Sequence, residues 1–180
     1  AATGRLTGKA MSKLLPTRGR VAILTAKQPS PEIQARLDGL RESLGYRSIE
    51  QIVACEPDYD NAIKTIRQAE KRDRSHRIKG WVFLDDWPLL GSPALPWSPG
   101  KLPCVAVQST PAAFIYLENK YLSSIVAHPY YEWGYLSVKT LIQALYLGQT
   151  PEENPLILET RLIDRNNAEQ YRQDWKQWLN

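Results

Sequence analysis

Between Arg20 and Leu44 the hydrophobic pattern changes period once, and that change sets the plan for the chain. Val21 to Leu24 is an unbroken apolar run with β-branched residues, the signature of a strand covered on both faces, as parallel strands are. After a polar loop from Thr25, Ser30 offers a hydroxyl to cap free amides and Pro31 suits a first helical position,. Ile33, Leu37, Leu40 and Leu44 then fall on one helical face before Gly45, predicting a helix over 31–44. The strand is expected in the interior of a sheet.

The same alternation recurs. Thr3 is expected to cap a first helix carrying Leu6, Ala10, Met11, Leu14 and Leu15 and ended by Pro16 and Gly19,; a chain opening directly on a helix reads as cut from something longer. Further strands are predicted over 49–54, 80–84, 105–107, 123–127 and 156–162, and helices over 60–71, 110–118 and 130–147, with Ala168, Tyr171, Trp175 and Trp178 marking the inward face of a last helix,. Between Pro88 and Pro103 lie Pro93, Pro96 and Pro99, so this stretch crosses as a stiffened irregular connection. Successive βα units of this length imply a doubly wound, mostly parallel α/β sheet flanked by helices. The last strand and the long helix before it either extend that sheet or belong to a second lobe.

Composition narrows this little. A chain of 180 residues with 43% hydrophobic and 23% charged content suits one well-buried globular unit,. The net charge of +4 is spread out, and the dense run Lys71 to Lys79, with no interleaved aromatics, reads as a solvated turn, not a nucleic-acid surface. Cys55 and Cys104 are expected as free buried thiols and lack metal-site spacing,. No apolar run approaches the roughly 18 residues of a membrane span, and no signal pattern opens the chain.

In open α/β sheets ligands sit beyond the carboxyl ends of the strands. Those ends collect Thr25, Lys27 and Gln28; Cys55, Glu56, Asp58 and Tyr59; Asp85, Asp86 and Trp87; Gln108 and Ser109; and His128. Amides and carboxylates that bond hydroxyls, with aromatics that cover C–H faces, suit a hydroxyl-rich ligand; ordinary loop polarity accounts for the same residues. Asp85 and Asp86 leave a strand toward opposite faces, so one binds and the other caps or faces solvent. His128, before Pro129, reads as a helix cap or loop residue more readily than as a catalyst. No nucleophile elbow, zinc-protease helix, P-loop or dinucleotide fingerprint is present, so no catalytic residue, metal or cofactor is expected. Gly4 and Gly8 form a small face for packing.

The stretch Ala35 to Arg41, the pair Asp85-Asp86 and the run Val105 to Pro129 together resemble the type 1 periplasmic sugar-binding proteins, the ribose-binding-protein family, which shares its fold with LacI-type effector domains. The resemblance covers nearly the whole chain but only the carboxyl-terminal part of such a protein, whose two α/β lobes close on a sugar. It implies ligand contacts at Gln34, Tyr59, Asp85, Gln108 and at Ala127 or His128. Gln34 and Gln108 stand where relatives carry an Arg and an Asp, and the proline-rich segment replaces an expected helix.

What the resemblance implies is a lobe over 1–128, a helix and strand over 129–162 that complete the other lobe, and a return segment over 163–180. The expected function is non-enzymatic binding of a sugar or polyol for an ABC importer, outside the cytoplasm, with a permease as partner. The effector half of a LacI-like regulator, which would be cytoplasmic, is the alternative, and a sugar-acting enzyme the third. Helix 130–147 is apolar on most of its circumference and the strand after it has a free edge, so this chain alone is expected to form a homodimer.

Overall fold

A computed structural model describes residues 1–45, 48–92, 94–150 and 157–179. Five parallel strands and one antiparallel strand form a single sheet. The helix α1 (Ala2–Leu14) leads into β1 (Arg20–Ala26), α2 (Pro31–Leu44), β2 (Ile49–Cys55), α3 (Tyr59–Arg72) and β3 (Ile78–Phe83). A 3-10 turn (Trp87–Leu89) then precedes β4 (Cys104–Val107), α4 (Pro111–Glu118), β5 (Ser124–Ala127), α5 (Tyr130–Leu147), β6 (Arg161–Ile163) and α6 (Ala168–Leu179). The spatial order is β2-β1-β3-β4-β5-β6, which places β1 inside the sheet, between β2 and β3. Ser30 caps α2 as expected, its Oγ accepting from the Ile33 amide at 3.4 Å. Thr3 does not cap α1: the helix begins at Ala2 with Ala1 at its N-cap position, so Thr3 lies inside the first turn.

Alternate residues of each strand feed two cores. Val21, Ile23, Val82, Leu84, Val105, Val107 and Val126 pack with Met11, Leu37, Leu40 and Leu44 beneath α1 and α2. Ala22, Leu24, Trp81, Phe83, Ala106, Ile125 and Ala127 pack on the other face with α3, α4 and α6. The proline-rich connection supplies much of the second cover. Leu89, Leu95 and Trp97 are buried there, and the Trp97 ring stacks on Trp81 with centroids 6.1 Å apart. A segment that cannot form a helix thus does a helix's work by inserting side chains. The charged turn after α3 folds around Asp73, whose carboxylate accepts the amides of Arg77 and Ile78 at 3.0 and 2.7 Å. Both thiols are free and buried.

The expected strand over 156–162 is shorter and later. Residue 156 lies outside the described residues, 157–160 are irregular, and the strand is Arg161–Ile163, antiparallel to β5 through Ile125–Ile163, Val126–Leu162 and Ala127–Arg161. Arg161 and Leu162, expected with another lobe, therefore belong to this sheet, where Ile163 joins the core and β6 satisfies the edge of β5. The side chains of Trp175 and Trp178 lie outside the described residues. By contrast α5 buries none of its residues; Tyr135, Val138, Leu145 and Tyr146 are 55, 59, 70 and 82% exposed.

The tightest contact joins α1 to α2. A Cβ on Gly4 would lie 1.9 Å from the Arg36 carbonyl oxygen, and one on Gly8 would lie 1.9 Å from Ser43 Oγ. A glycine-to-alanine change inside a helix ordinarily stabilises by about 1 kcal/mol. Gly4→Ala should instead destabilise by about 1 to 3 kcal/mol, because backbone must move, whereas Gly134→Ala on α5, with nothing within 4 Å, should be neutral or stabilising. Urea unfolding of the two variants gives the signs; a stabilised Gly4→Ala would mean that the helices stand farther apart than described.

Candidate functional site

Three strand ends and three helices bring one polar cluster together. Beyond β3, Asp85 sets Oδ2 3.7 Å from Nη1 of Arg36, and the two side chains are only 21 and 12% exposed. The same Nη1 donates to the Leu84 carbonyl at 2.9 Å, while Asp85 Oδ1 accepts the Asp86 amide at 3.0 Å. Arg36 reaches this place because Leu37 and Leu40 fix α2 on the sheet. Beyond β4 comes Gln108, in an uncommon left-handed backbone conformation with φ 93°. Beyond β5 comes His128, 6% exposed, with Nδ1 3.3 Å from Gln108 Oε1 and Nε2 3.2 Å from Thr3 Oγ1 on α1. Tyr130, the first residue of α5, donates its hydroxyl to Gln108 Oε1, and the rings of His128, Tyr130 and Trp133 pack at 5.2 to 5.7 Å.

The electrostatics suit neutral polar chemistry. Burial, with the Arg36 cation adding to it, lowers the His128 pKa to about 4, so the ring is neutral at pH 7. Burial raises Asp86, which also feels the charge of Asp85, and burial raises the Tyr130 phenol. One guanidinium compensated by one carboxylate, beside uncharged amide, imidazole and hydroxyl groups, can bond several hydroxyls at once. No three His, Cys, Asp or Glu side chains gather as metal ligands among the described residues.

Of the five residues expected to contact a ligand, Asp85, Gln108 and His128 converge. Gln34 and Tyr59 do not join them. Gln34 donates along its own helix to Asp38 at 2.9 Å. Tyr59 turns its hydroxyl to the carbonyls of Ser92 and Ala94 at 3.3 and 3.4 Å, and its ring occupies the space a Cβ on Gly91 would need. Other strand-end residues have local duties: Asp58 caps α3 by accepting the Asn61 amide at 2.8 Å, and Lys27 pairs with Glu56 at 3.4 Å on the surface. Thr3, Arg36 and Tyr130 were not among the residues expected. Arg36 lies two positions beyond Gln34, inside the very stretch that carries the resemblance, so its spacing from Gln34 was the available signal.

Because the His128 pKa is depressed in the fold, the unfolded chain binds the extra proton first as pH falls. Its contribution to stability is therefore complete above about pH 6.5 and is lost progressively toward pH 4,, amounting to roughly 3 kcal/mol in full. His128→Asn should remove that slope, so that the difference in unfolding free energy between wild type and variant shrinks between pH 7 and 4.5. A constant difference across that range would show a ring that titrates normally.

Residues 1–150 match the family model described as a periplasmic binding protein domain. Among solved structures, the chain superposes with TM-score 0.83 and 18% identity on a periplasmic ribose ABC transporter from Conexibacter woesei, covering 98% of this chain and 61% of that one. An ABC transporter periplasmic solute-binding protein from Actinobacillus succinogenes with bound D-allose gives TM-score 0.81 at 13% identity, over 94 and 61% of the two chains. A solute-binding protein from Burkholderia graminis in complex with D-arabinose gives 0.74 at 21%, over 92 and 59%. The chain thus spans about three fifths of the length of these relatives, and at such identities the likeness is one of fold. No curated protein matches. The match over most of its length, on a mostly parallel α/β sheet as expected, makes this chain a member of the periplasmic binding protein domain family.

Proposed function

We propose that the chain binds a sugar or related polyol without chemical turnover, as part of the substrate-binding protein of an ABC importer working outside the cytoplasm with a permease partner. The observation that carries this reading is the cluster of Asp85, Arg36, Gln108 and His128 at the carboxyl ends of β3, β4 and β5. It offers donors and acceptors on neighbouring elements without net charge to attract an ion. The solved relatives named with D-allose and D-arabinose support the ligand class. No helix among the described residues is long and apolar enough to cross a membrane.

A second copy is the proposed partner of the isolated chain. Tyr131, Trp133, Tyr135, Val138 and Ile142 expose 41 to 59% of their surfaces along α5, and two-fold pairing of that face is the simplest closed way to cover it. The longer relatives have further chain that could occupy the same face.

Two experiments test these readings. Titration with D-ribose, D-arabinose and D-allose, followed by calorimetry or amide shifts, should show saturable binding by at least one sugar. Asp85→Ala should then weaken it by roughly 1.5 to 3 kcal/mol, the cost of a charged hydrogen bond, and Asp86→Ala by clearly less; equal or reversed losses would put the wrong carboxylate in the cleft. In sedimentation across a dilution series the 180-residue chain should run as a dimer, and Val138→Glu should convert it to monomer. A well-behaved wild-type monomer at high concentration would remove the self-association proposal and leave the ligand reading intact.

A further inference from the structure

We infer that Gln108 is held as a hydrogen-bond donor toward the ligand by a directed relay running from Thr3 through His128, so that the ligand atom it meets is an accepting oxygen. This rests on the proposed polyol site and specifies its polarity. Gln108 is anchored at its backbone, where its amide donates to the Val126 carbonyl at 2.9 Å and its φ of 93° is one that side-chain-bearing residues adopt only when surroundings impose it. Its side-chain Oε1 lies 3.3 Å from His128 Nδ1 and accepts the Tyr130 hydroxyl.

A carbonyl oxygen only accepts, so with Oε1 turned to the ring it is Nδ1 that carries the proton,. In a neutral imidazole Nε2 is then a bare acceptor, and Thr3 Oγ1, 3.2 Å away, is the hydroxyl that donates to it. Every hydrogen bond in the row consequently points toward Gln108. The two lone pairs of Oε1 are taken by Nδ1–H and the Tyr130 hydroxyl, while the two N–H bonds of the same amide have no partner among the described residues. The amide therefore keeps its donors for a ligand beyond the carboxyl ends of β4 and β5. A sugar's ring ether oxygen, which can only accept, fits that place; a hydroxyl fits it only when turned to accept.

The opposite relay has the Gln108 amide turned over, with Nε2–H of His128 donating to Thr3, the Gln108 amide nitrogen donating to Nδ1 and to the Tyr130 oxygen, and Oε1 left to accept from the ligand. The two differ in which ring nitrogen is protonated, and nitrogen-15 NMR of His128 at pH 7 in the ligand-free wild-type chain reads that directly. The Nδ1–H form is expected, and a predominant Nε2–H form overturns the inference. Thr3→Val should shift the ring toward a mixture of tautomers and Thr3→Ser should restore it; a tautomer indifferent to both removes Thr3 as a positioning residue. On the ligand side, Gln108→Glu replaces the donors by acceptors and should weaken the best-binding of D-ribose, D-arabinose and D-allose at least tenfold, whereas unchanged or tighter binding overturns the donor role. If none of these sugars binds the wild type, the polyol reading itself falls, while the tautomer still decides the direction of the relay.

Discussion

The approach of α1 to α2 is the constraint on which the site depends. With Gly4 and Gly8 facing Arg36, Leu40 and Ser43, the helices meet backbone to backbone, a distance that no side chain on that face would permit. Both helices run toward the amino ends of the strands, so their first turns stand over the carboxyl ends. That places Thr3 beside His128 and lets Arg36 reach Asp85 and the Leu84 carbonyl. A wider separation would carry Thr3 away from the imidazole without disturbing the strands. Packing glycines that offer no side chain of their own thereby set the position of two polar side chains in the site.

Burial sets the chemistry once the groups are placed. Asp85 and Arg36 are mostly sheltered, so each would be costly alone and each makes the other tolerable,. His128 answers the same low polarity by staying neutral, and a neutral imidazole has one donor and one acceptor, which a charged one does not. The site is therefore polar without strong net charge. That favours ligands recognised by direction of hydrogen bonding, as hydroxyl-rich molecules are, over ligands drawn in by charge.

The fold was legible because nearly every element announces itself locally. The apolar run of β1, the Ser30–Pro31 start of α2 and the Thr110–Pro111 start of α4 are set by residues within a few positions, and the elements follow them. Features that depend on distant residues were not legible. Thr3 has the composition of a cap, but whether it caps or reaches His128 depends on a partner 125 residues away. Gln34 occupies a position where the resembling family carries Arg, and even a partner as near as Asp38, one turn along, takes up its amide. Tyr59 looks like a ligand aromatic, and its ring is instead held by the proline-rich connection. Hydrophobic period reports which face is buried and says nothing of which polar groups will meet above the sheet.

The exposure of α5 follows from the same logic at larger scale. Each face of the sheet already has its cover, by α1 and α2 on one side and by α3, α4, α6 and the proline-rich connection on the other. Among the described residues α5 buries none of its own, although its sequence provides Tyr131, Tyr135, Val138 and Ile142. Its first turn is nevertheless tied down, by the Tyr130 hydroxyl on Gln108 and by Trp133 against His128. The helix is thus held at its root, where Glu132 also pairs with Arg161 at 3.2 Å, and is exposed along most of its length. At that root it meets Gln108 and His128, so whatever covers α5 stands beside the site proposed for the ligand.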